Sequence, residues 1–580
     1  MSRRGERRSG SAAALALLLA SCTTAPPPLE DRLTISVVGT NDIHGAFMPR
    51  ANQGGLVTIS GYVDALRAAR AADSGAVLLI DAGDMWQGTL ESNLVEGKSV
   101  VEAFNAMGYD AATIGNHEFD FGPAGSAAIP REAGDDPRGA LKQRALEMEF
   151  PLLSSNLIVS RTGEHVDWPN VMPSVMLEVQ GVRVGVIGVI TRGAPATTIK
   201  ANIAGLEIEP LADAITREAH ALRIDGADLV VVAAHAGGRC EEFSDPYDTS
   251  SCFMAGEIMR VASAVPEGLV DHIVAGHVHE RIAHIVNGIS ITSGHSGGAI
   301  FGRTDFEFDR SSGILVGRRV FPPQVPCPWV SNATGECAWD RSGDVSRPNY
   351  AGYTVEPNHA VFDVSNRAVA YAEAIKNEPL GPILETPITT AGNPESALGN
   401  LFVDAVLAGV DGDIAIHNVT GGIRANLGEG PVTFGDVYEV MPFDNGVVVL
   451  DLSGAELRRV MAAQAHKHRR RAGIAGVRVT IRCENDEMII DMVLNHGRVI
   501  ADDDRVRLIA NDFLALGGDD ILTPVMPDEG FEYDDGLPVT RDVLVDWFRT
   551  APDRLSASDF SSHGQPRWNV PADLPPTCSL

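Results

Sequence analysis

Between Thr113 and Gly122 the chain reads TIGNHEFDFG, which sets Asn116, His117, Glu118 and Asp120 within five residues, just past an apolar run. Alone, such a stretch reads as a polar turn. It gains meaning because four other apolar runs end the same way. LTISVVGT leads into Asn41, Asp42 and His44, and AVLLI into Asp81 and Asp84. DLVVVAA leads into His235, and DHIVAG into His277 and His279. Asp, His and Asn are ligand types for hard-to-borderline divalent ions such as Mn²⁺, Zn²⁺ or Fe²⁺. About seven ligands exceed one tetrahedral shell and suit two ions that share a carboxylate. Two ions about 3.5–4 Å apart activate water and neutralise a phosphate during in-line displacement. The expected chemistry is phosphoester hydrolysis.

These residues need elements that bring them together. The apolar runs are strand-like, and amphipathic segments lie between several of them: GYVDALRAARAA, VVEAFNAMG and LADAITREAHALRI. This alternation predicts a layered α/β domain, with the site in loops beyond the carboxyl ends of the strands. HIVNGISITSGHSGGAIFGRTDFEFDR is expected to complete a second sheet, with Pro- and Cys-bearing loops following Gly313. The helix-like NRAVAYAEAIKN then separates this unit from another. There SALGNLFVDAVLAGV reads as a helix, DIAIHN as a strand, and VVVLDLSGAELRRVMAAQAHKHRRR as a strand followed by a helix. A chain of 580 residues exceeds what one core supports, so more than one domain is expected.

With Asp+Glu 77 against Lys+Arg 46, the formal net charge is -31, which disfavours a nucleic acid polymer as partner. The N-terminus reads as a targeting segment. Arg3, Arg4, Arg7 and Arg8 precede the apolar SAAALALLLA, which is too short to span a bilayer. LLLASC ends in Cys22 and resembles a bacterial lipoprotein signal, so residues 1–22 are the expected signal and 23–32 the tether. The expected location is outside the cytoplasm, on a lipid anchor, with Thr23 pointing to the outer membrane. Export makes the remaining cysteines candidates for disulfides. Cys240 and Cys252, and Cys327 and Cys337, each bracket a short polar loop, while Cys483 and Cys578 pair by elimination. A zinc–cysteine cluster is the competing reading, disfavoured by the lack of a Cys-x-x-Cys pair.

Asp42-x-His44, Gly83-Asp84, GNHE at Gly115–Glu118, His235 and GHVH at Gly276–His279 resemble, in order, the motifs of the calcineurin-like metallophosphoesterases. TNDIHG and GNHEFD are similar to the bacterial 5′-nucleotidase/UDP-sugar hydrolase branch, and GGIRANLGEGPVTFGDVYEVMPFDN and FLALGGDD to its C-terminal domain. The resemblance implies a four-layer α/β/β/α sandwich over residues 33–355, a linker helix over 356–380 and a smaller α/β substrate-binding domain over 381–575. It implies two divalent ions, of Zn, Mn, Co or Fe. One would take Asp42, His44 and His279, the other Asn116, His235 and His277, with Asp84 bridging. His117, oriented by Asp120, would stabilise the transition state and protonate the leaving oxygen, with Glu118 in support. Phe443 and Phe513 would sandwich a base, Asn445 meet its edge, Asp519 hold ribose hydroxyls and Arg424 the phosphate. The implied substrate is a 5′-nucleoside monophosphate. UDP-sugar hydrolase, 2′,3′-cyclic nucleotide phosphodiesterase, thiosulfohydrolase and non-catalytic nucleoside-binding lipoprotein are the alternatives. Gly392 stands where the family carries a phosphate-binding Arg, and Asp520 where Gly is usual.

Overall fold

The computed structural model describes residues 32–580 apart from 51, 126–127, 131–133, 393–394, 444, 468–470, 528–529, 532–536, 563 and 572–573. The expected signal segment and all of the tether but Arg32 lie outside the described residues. Eight strands organise the first half. They are β1 (Arg32–Thr40), β2 (Ala76–Asp81), β3 (Ala111–Thr113), β4 (Val182–Ile190), β5 (Leu229–His235), β6 (His272–Ala275), β7 (Ile289–Ser293) and β8 (Gly302–Asp309). Strands β8, β1, β2 and β3 are consecutive in a seven-stranded sheet, and β7, β6, β5 and β4 in a six-stranded one. Within each sheet the site-bearing strands run parallel, so their carboxyl ends share one edge.

Alternate residues of each strand serve different layers, as a period of two requires. Ile35, Val37, Leu78, Ile80, Val184, Val186, Val231 and Ala233 fill the space between the sheets. Val38 and Leu79 face outward onto α1 (Gly55–Ala72) and α2 (Lys98–Met107), where Leu56, Ile59, Val63 and Leu66 repeat at helical spacing. Ile187, Val189, Val230 and Val232 face α3 (Leu211–Ile224) and α4 (Glu257–Ala264) on the far side. The result is the expected α/β/β/α sandwich. The stretch expected to complete the second sheet divides instead. Strand β7 joins that sheet, while β8 crosses to pair antiparallel with β1 from Arg32–Asp309 to Gly39–Gly302. Part of the expected loop after Gly313 is a further strand, Leu315–Val320, paired with β8.

Helix α5 (His359–Lys376), capped by Asn358, leads to the second half. Its Ala372 packs with Leu90 of the first domain and Tyr438 of the second, and Lys376 Nζ bonds Glu91 Oε1 at 2.6 Å. Beyond it, α6 (Ala397–Gly409) covers a four-stranded sheet of β9 (Ile414–His417), β10 (Val447–Ser453), β11 (Gly473–Ala475) and β12 (Arg505–Asn511). Strand β10 hands directly to α7 (Gly454–Ala465) through a capping box of Ser453 and Glu456. Disulfides join Cys240 to Cys252, Cys327 to Cys337 and Cys483 to Cys578. Among the described residues no helix is long and apolar enough to cross a membrane.

Candidate metal centre and substrate cavity

The loops after β1, β2, β3, β5 and β6 meet at the shared strand edge. Asp42, His44 and His279 form one group whose donor atoms all lie within 4.8 Å of one another, and Asp84, His235 and His277 form a second. His44 Nε2 is 3.0 Å from His279 Nε2, which is 3.4 Å from Asp42 Oδ1. His235 Nε2 lies 3.0 Å from Asn116 Oδ1 and 3.2 Å from Asp84 Oδ2. The other ring nitrogens are occupied: His44 Nδ1–H donates to Gln87 O (2.7 Å), and His235 Nδ1–H to Ala82 O (2.8 Å). Both Nε2 lone pairs therefore point inward, the tautomer a metal-binding imidazole needs. Asn116 is fixed likewise, its Nδ2 donating to Thr197 O at 3.0 Å while Oδ1 faces the centre.

The backbone and the charges support the same reading. Asp42, His44, Asp84, His277 and His279 all have positive φ, between 49° and 81°. Five non-glycine residues in the left-handed region at one point is the kind of strain that clusters at functional sites. Asp42 and Asp84 are buried, and unpaired buried carboxylates are costly. Burial opposes charge on Asp84, but His235, His117 and His44 outweigh it and hold the carboxyl well below its usual range. Burial pushes His44 and His277 down to about 4. At His235 burial is overcome by Asp84, which lifts the imidazole to about 10, so the carboxylate favours a cation at that Nε2, a proton or a metal ion. Each of the two groups is a donor set that suits a divalent ion.

Glu118 ties two of these loops together. Its Oε2 accepts from Gly115 N (2.6 Å) and Asp84 N (2.9 Å), and its Oε1 from Met85 N (2.8 Å). Gly115 has to be glycine, because a Cβ there would come within 2.3 Å of Asp84 Oδ1. Asp81 does not join the donors. It turns back to accept from Thr40 Oγ1 and Gly83 N. His117 sits on the cavity side, with Nδ1 2.6 Å from Asp120 Oδ2, while Thr198 Oγ1 donates to Asp120 Oδ1 at 2.9 Å. Burial would lower the His117 imidazolium, but Asp120, then Asp84, raise it to about 9.

Both domains wall a cavity of about 270 Å³. Asp84, Asn116, His117, Asp120, His277 and His279 line one side, and Arg424, Phe443, Asn445, Phe513 and Asp519 the other. Arg424 lies over the Phe443 ring at 5.8 Å. Phe513 lies against Gly518, where a Cβ would be 2.3 Å from the ring. Asn418, not singled out from sequence, lines the cavity and donates through Nδ2 to Asp519 Oδ2 at 2.6 Å. Thr198, Gln87 and Asp512 were also missed; each acts through a partner distant in sequence, a relation that no local pattern carries. Gly392 does not line this cavity. It borders a separate small pocket with Arg471. Asp520 is exposed, and its Oδ1 accepts from Thr523 Oγ1.

Two family models match: "Calcineurin-like phosphoesterase" over residues 35–281, and "5′-nucleotidase, C-terminal domain" over 374–526. The chain is 27% identical over 85% of its length to Endonuclease YhcR of Bacillus subtilis, of which it spans 38%. It is 26% identical over 88% of its length to Protein UshA of Yersinia enterocolitica, covering 91% of that protein. Among solved structures, the 5′-nucleotidase precursor of Thermus thermophilus aligns with a TM-score of 0.65 and 21% identity, over 93% of this chain and 99% of that one. Two matched domains in this order, with a divalent-metal donor set beside their common cavity, make the chain a metal-dependent phosphoester hydrolase built from a calcineurin-like phosphoesterase domain and a 5′-nucleotidase C-terminal domain.

Proposed function

We propose that the protein is an exported 5′-nucleotidase that converts 5′-nucleoside monophosphates to nucleoside and phosphate. The observation that carries this reading is the cavity that joins the metal-donor groups to Phe443 and Phe513. Asp42, His44 and His279 would hold one divalent ion and Asn116, His235 and His277 the other, with the Asp84 carboxylate within reach of both groups. The fit rests on the inward Nε2 lone pairs and the buried carboxylates described above. Ions so held lower the pKa of a bound water and neutralise phosphate charge. Arg424, facing His117 across the cavity, binds the phosphate. His117 Nδ1–H is held by Asp120, which leaves Nε2 to give a proton to the leaving O5′. Phe443 and Phe513 stack on the base, Asn445 meets its edge, and Asp519, steadied by Asn418, accepts from ribose hydroxyls.

The test is a panel of nucleoside mono-, di- and triphosphates, UDP-glucose and 2′,3′-cyclic nucleotides, assayed with Mn²⁺, Zn²⁺, Co²⁺ and Fe²⁺. Monophosphates should be the best substrates, and activity should vanish with a chelator and return with metal. Undiminished turnover after verified metal removal would sink the two-metal reading. Export on a lipid anchor at Cys22 is supported by the basic, apolar and LLLASC segments in order. Metabolic labelling with a radioactive fatty acid, lost in Cys22→Ser, tests it.

A further inference from the structure

The loop between Cys240 and Cys252 carries a third cluster of metal-ligating side chains. The sulfurs of both cysteines and one ring nitrogen of His284 all lie within 4.8 Å of one another. His284 belongs to the strand Ile282–Val286, and the loop folds over that strand, where Ile285 N–H donates to Pro246 O at 2.7 Å. The imidazole is buried, and its Nε2 has no hydrogen-bond partner. A buried polar atom without a partner is unusual and calls for a reason. Burial pushes the His284 pKa below its ordinary range, so the ring is neutral and keeps a lone pair. The sequence holds no Cys-x-x-Cys pair, but the fold brings up a third donor from a separate strand. Among the described residues, neither Cys327–Cys337 nor Cys483–Cys578 belongs to such a group.

We propose that this loop is a thiol-dependent metal site: once the Cys240–Cys252 bond is reduced, both sulfurs and His284 bind a zinc ion. Two thiolates and an imidazole are a donor set for Zn²⁺, softer than the carboxylates and imidazoles of the catalytic centre. The Cα atoms of the two cysteines are 4.0 Å apart, which keeps the freed sulfurs side by side. Zn–S bonds of about 2.3 Å at a tetrahedral ion set two sulfurs about 3.8 Å apart, a small separation from their bonded positions. Cys252 is half-buried and Cys240 buried, so an external dithiol attacks Cys252 Sγ and Cys240 leaves as a thiolate. The reagent's second thiol then closes on the mixed disulfide, which releases Cys252 and leaves the dithiol as its cyclic disulfide. Zn²⁺ takes both sulfurs as thiolates, the two protons carried over from the dithiol go to solvent, and water completes the fourth position. The loop starts five residues after His235 and rests on the turn that bears His277 and His279. Cys240 N–H donates to Arg281 O at 3.0 Å, and a Cβ at Gly237 would come within 2.4 Å of Val278. In a reducing medium the ion thus braces the loop that the disulfide braces in an oxidising one.

The experiment uses the full-length protein with its catalytic centre preloaded with Zn²⁺. A dithiol is added and then removed without oxygen, the free thiols are mapped, and Co²⁺ is titrated in. Sulfur-to-cobalt charge-transfer absorption reports thiolate ligation, which the catalytic carboxylates and imidazoles do not give. The band should grow in the reduced protein, be absent from the oxidised protein, and be erased by added Zn²⁺. His284→Gln should weaken Co²⁺ binding by more than about tenfold, the least that loss of even an outer-shell partner costs. His284→Cys, which restores a donor, should keep the band, and Cys252→Ser should lose most of it. A Cys240–Cys252 bond that resists the dithiol in the native protein overturns the proposal. So does a reduced protein without the band, or a band that survives intact in Cys252→Ser or His284→Gln.

Discussion

The His117–Asp120–Thr198 chain allows charge and geometry to be separated by substitution. Asp120→Asn keeps the shape of the side chain. Its remaining oxygen can accept His117 Nδ1–H at the 2.6 Å position, and its new amide nitrogen faces Thr198 Oγ1, a hydroxyl able to accept as well as donate. Only the negative charge is lost. A charge-assisted hydrogen bond contributes about 1.5–3 kcal/mol and a neutral one about 0.5–1.5 kcal/mol. The difference, about 1–1.5 kcal/mol, corresponds to a fall in kcat of roughly five- to fifteenfold. Asp120→Ala removes geometry too and should cost roughly ten- to over a hundredfold. His117→Asn should cost roughly 10²–10⁴-fold, and Thr198→Val only a few-fold. The assay is kcat at saturating nucleoside monophosphate, with metal content measured on each protein. An aryl phosphate with a good leaving group, which needs little protonation, should show a compressed version of the same ranking. If the aryl phosphate suffers equally, or if His117→Asn loses a metal ion, His117 is not the acid and the reasoning fails.

Three further outcomes are expected. Asp84→Asn should lower the occupancy of both ions and be the most damaging ligand change, because its charge reaches His44 of one group and His235 of the other; two ions at full occupancy in that variant would refute a bridge. Phe513→Ala should raise KM for a nucleotide by roughly five- to a hundredfold, the scale of one base–aromatic stack, and barely alter KM for an aryl phosphate; equal shifts would remove Phe513 from the base site. Burial, helped at His272 by Arg318, pushes His272 and His417 down to about 3 from an ordinary 6.5. Between those pH values the unfolded chain binds protons that the folded one refuses, so stability is full above 6.5 and is lost as pH falls. The loss is roughly 2 kcal/mol per residue by pH 5, and urea unfolding of chelated His272→Gln and His417→Gln should show a flatter decline between pH 7 and 5 than wild type.

What could be read in the sequence, and what could not, divides by the range of the interaction. The site-bearing strands were legible because burial on both faces makes each a short apolar run, and the residue that follows the run is where the loop must begin. His235 is the last residue of β5, and His277 lies two beyond β6, so polar residues at these tips needed no tertiary information to be noticed. Strand β8 was placed in the wrong sheet because its partner, β1, lies some 270 residues earlier, and antiparallel pairing over that distance leaves no local trace. The same limit hid Asp512. Its carboxylate reads as a polar residue at a strand end until the fold sets it against Asn445, 67 positions away. Motifs therefore located the chemistry of the metal centre, where each ligand is local to its own loop. Pairs such as Asn418 with Asp519 and Asn445 with Asp512, in which one member orients the other across the domain, carry no such local mark.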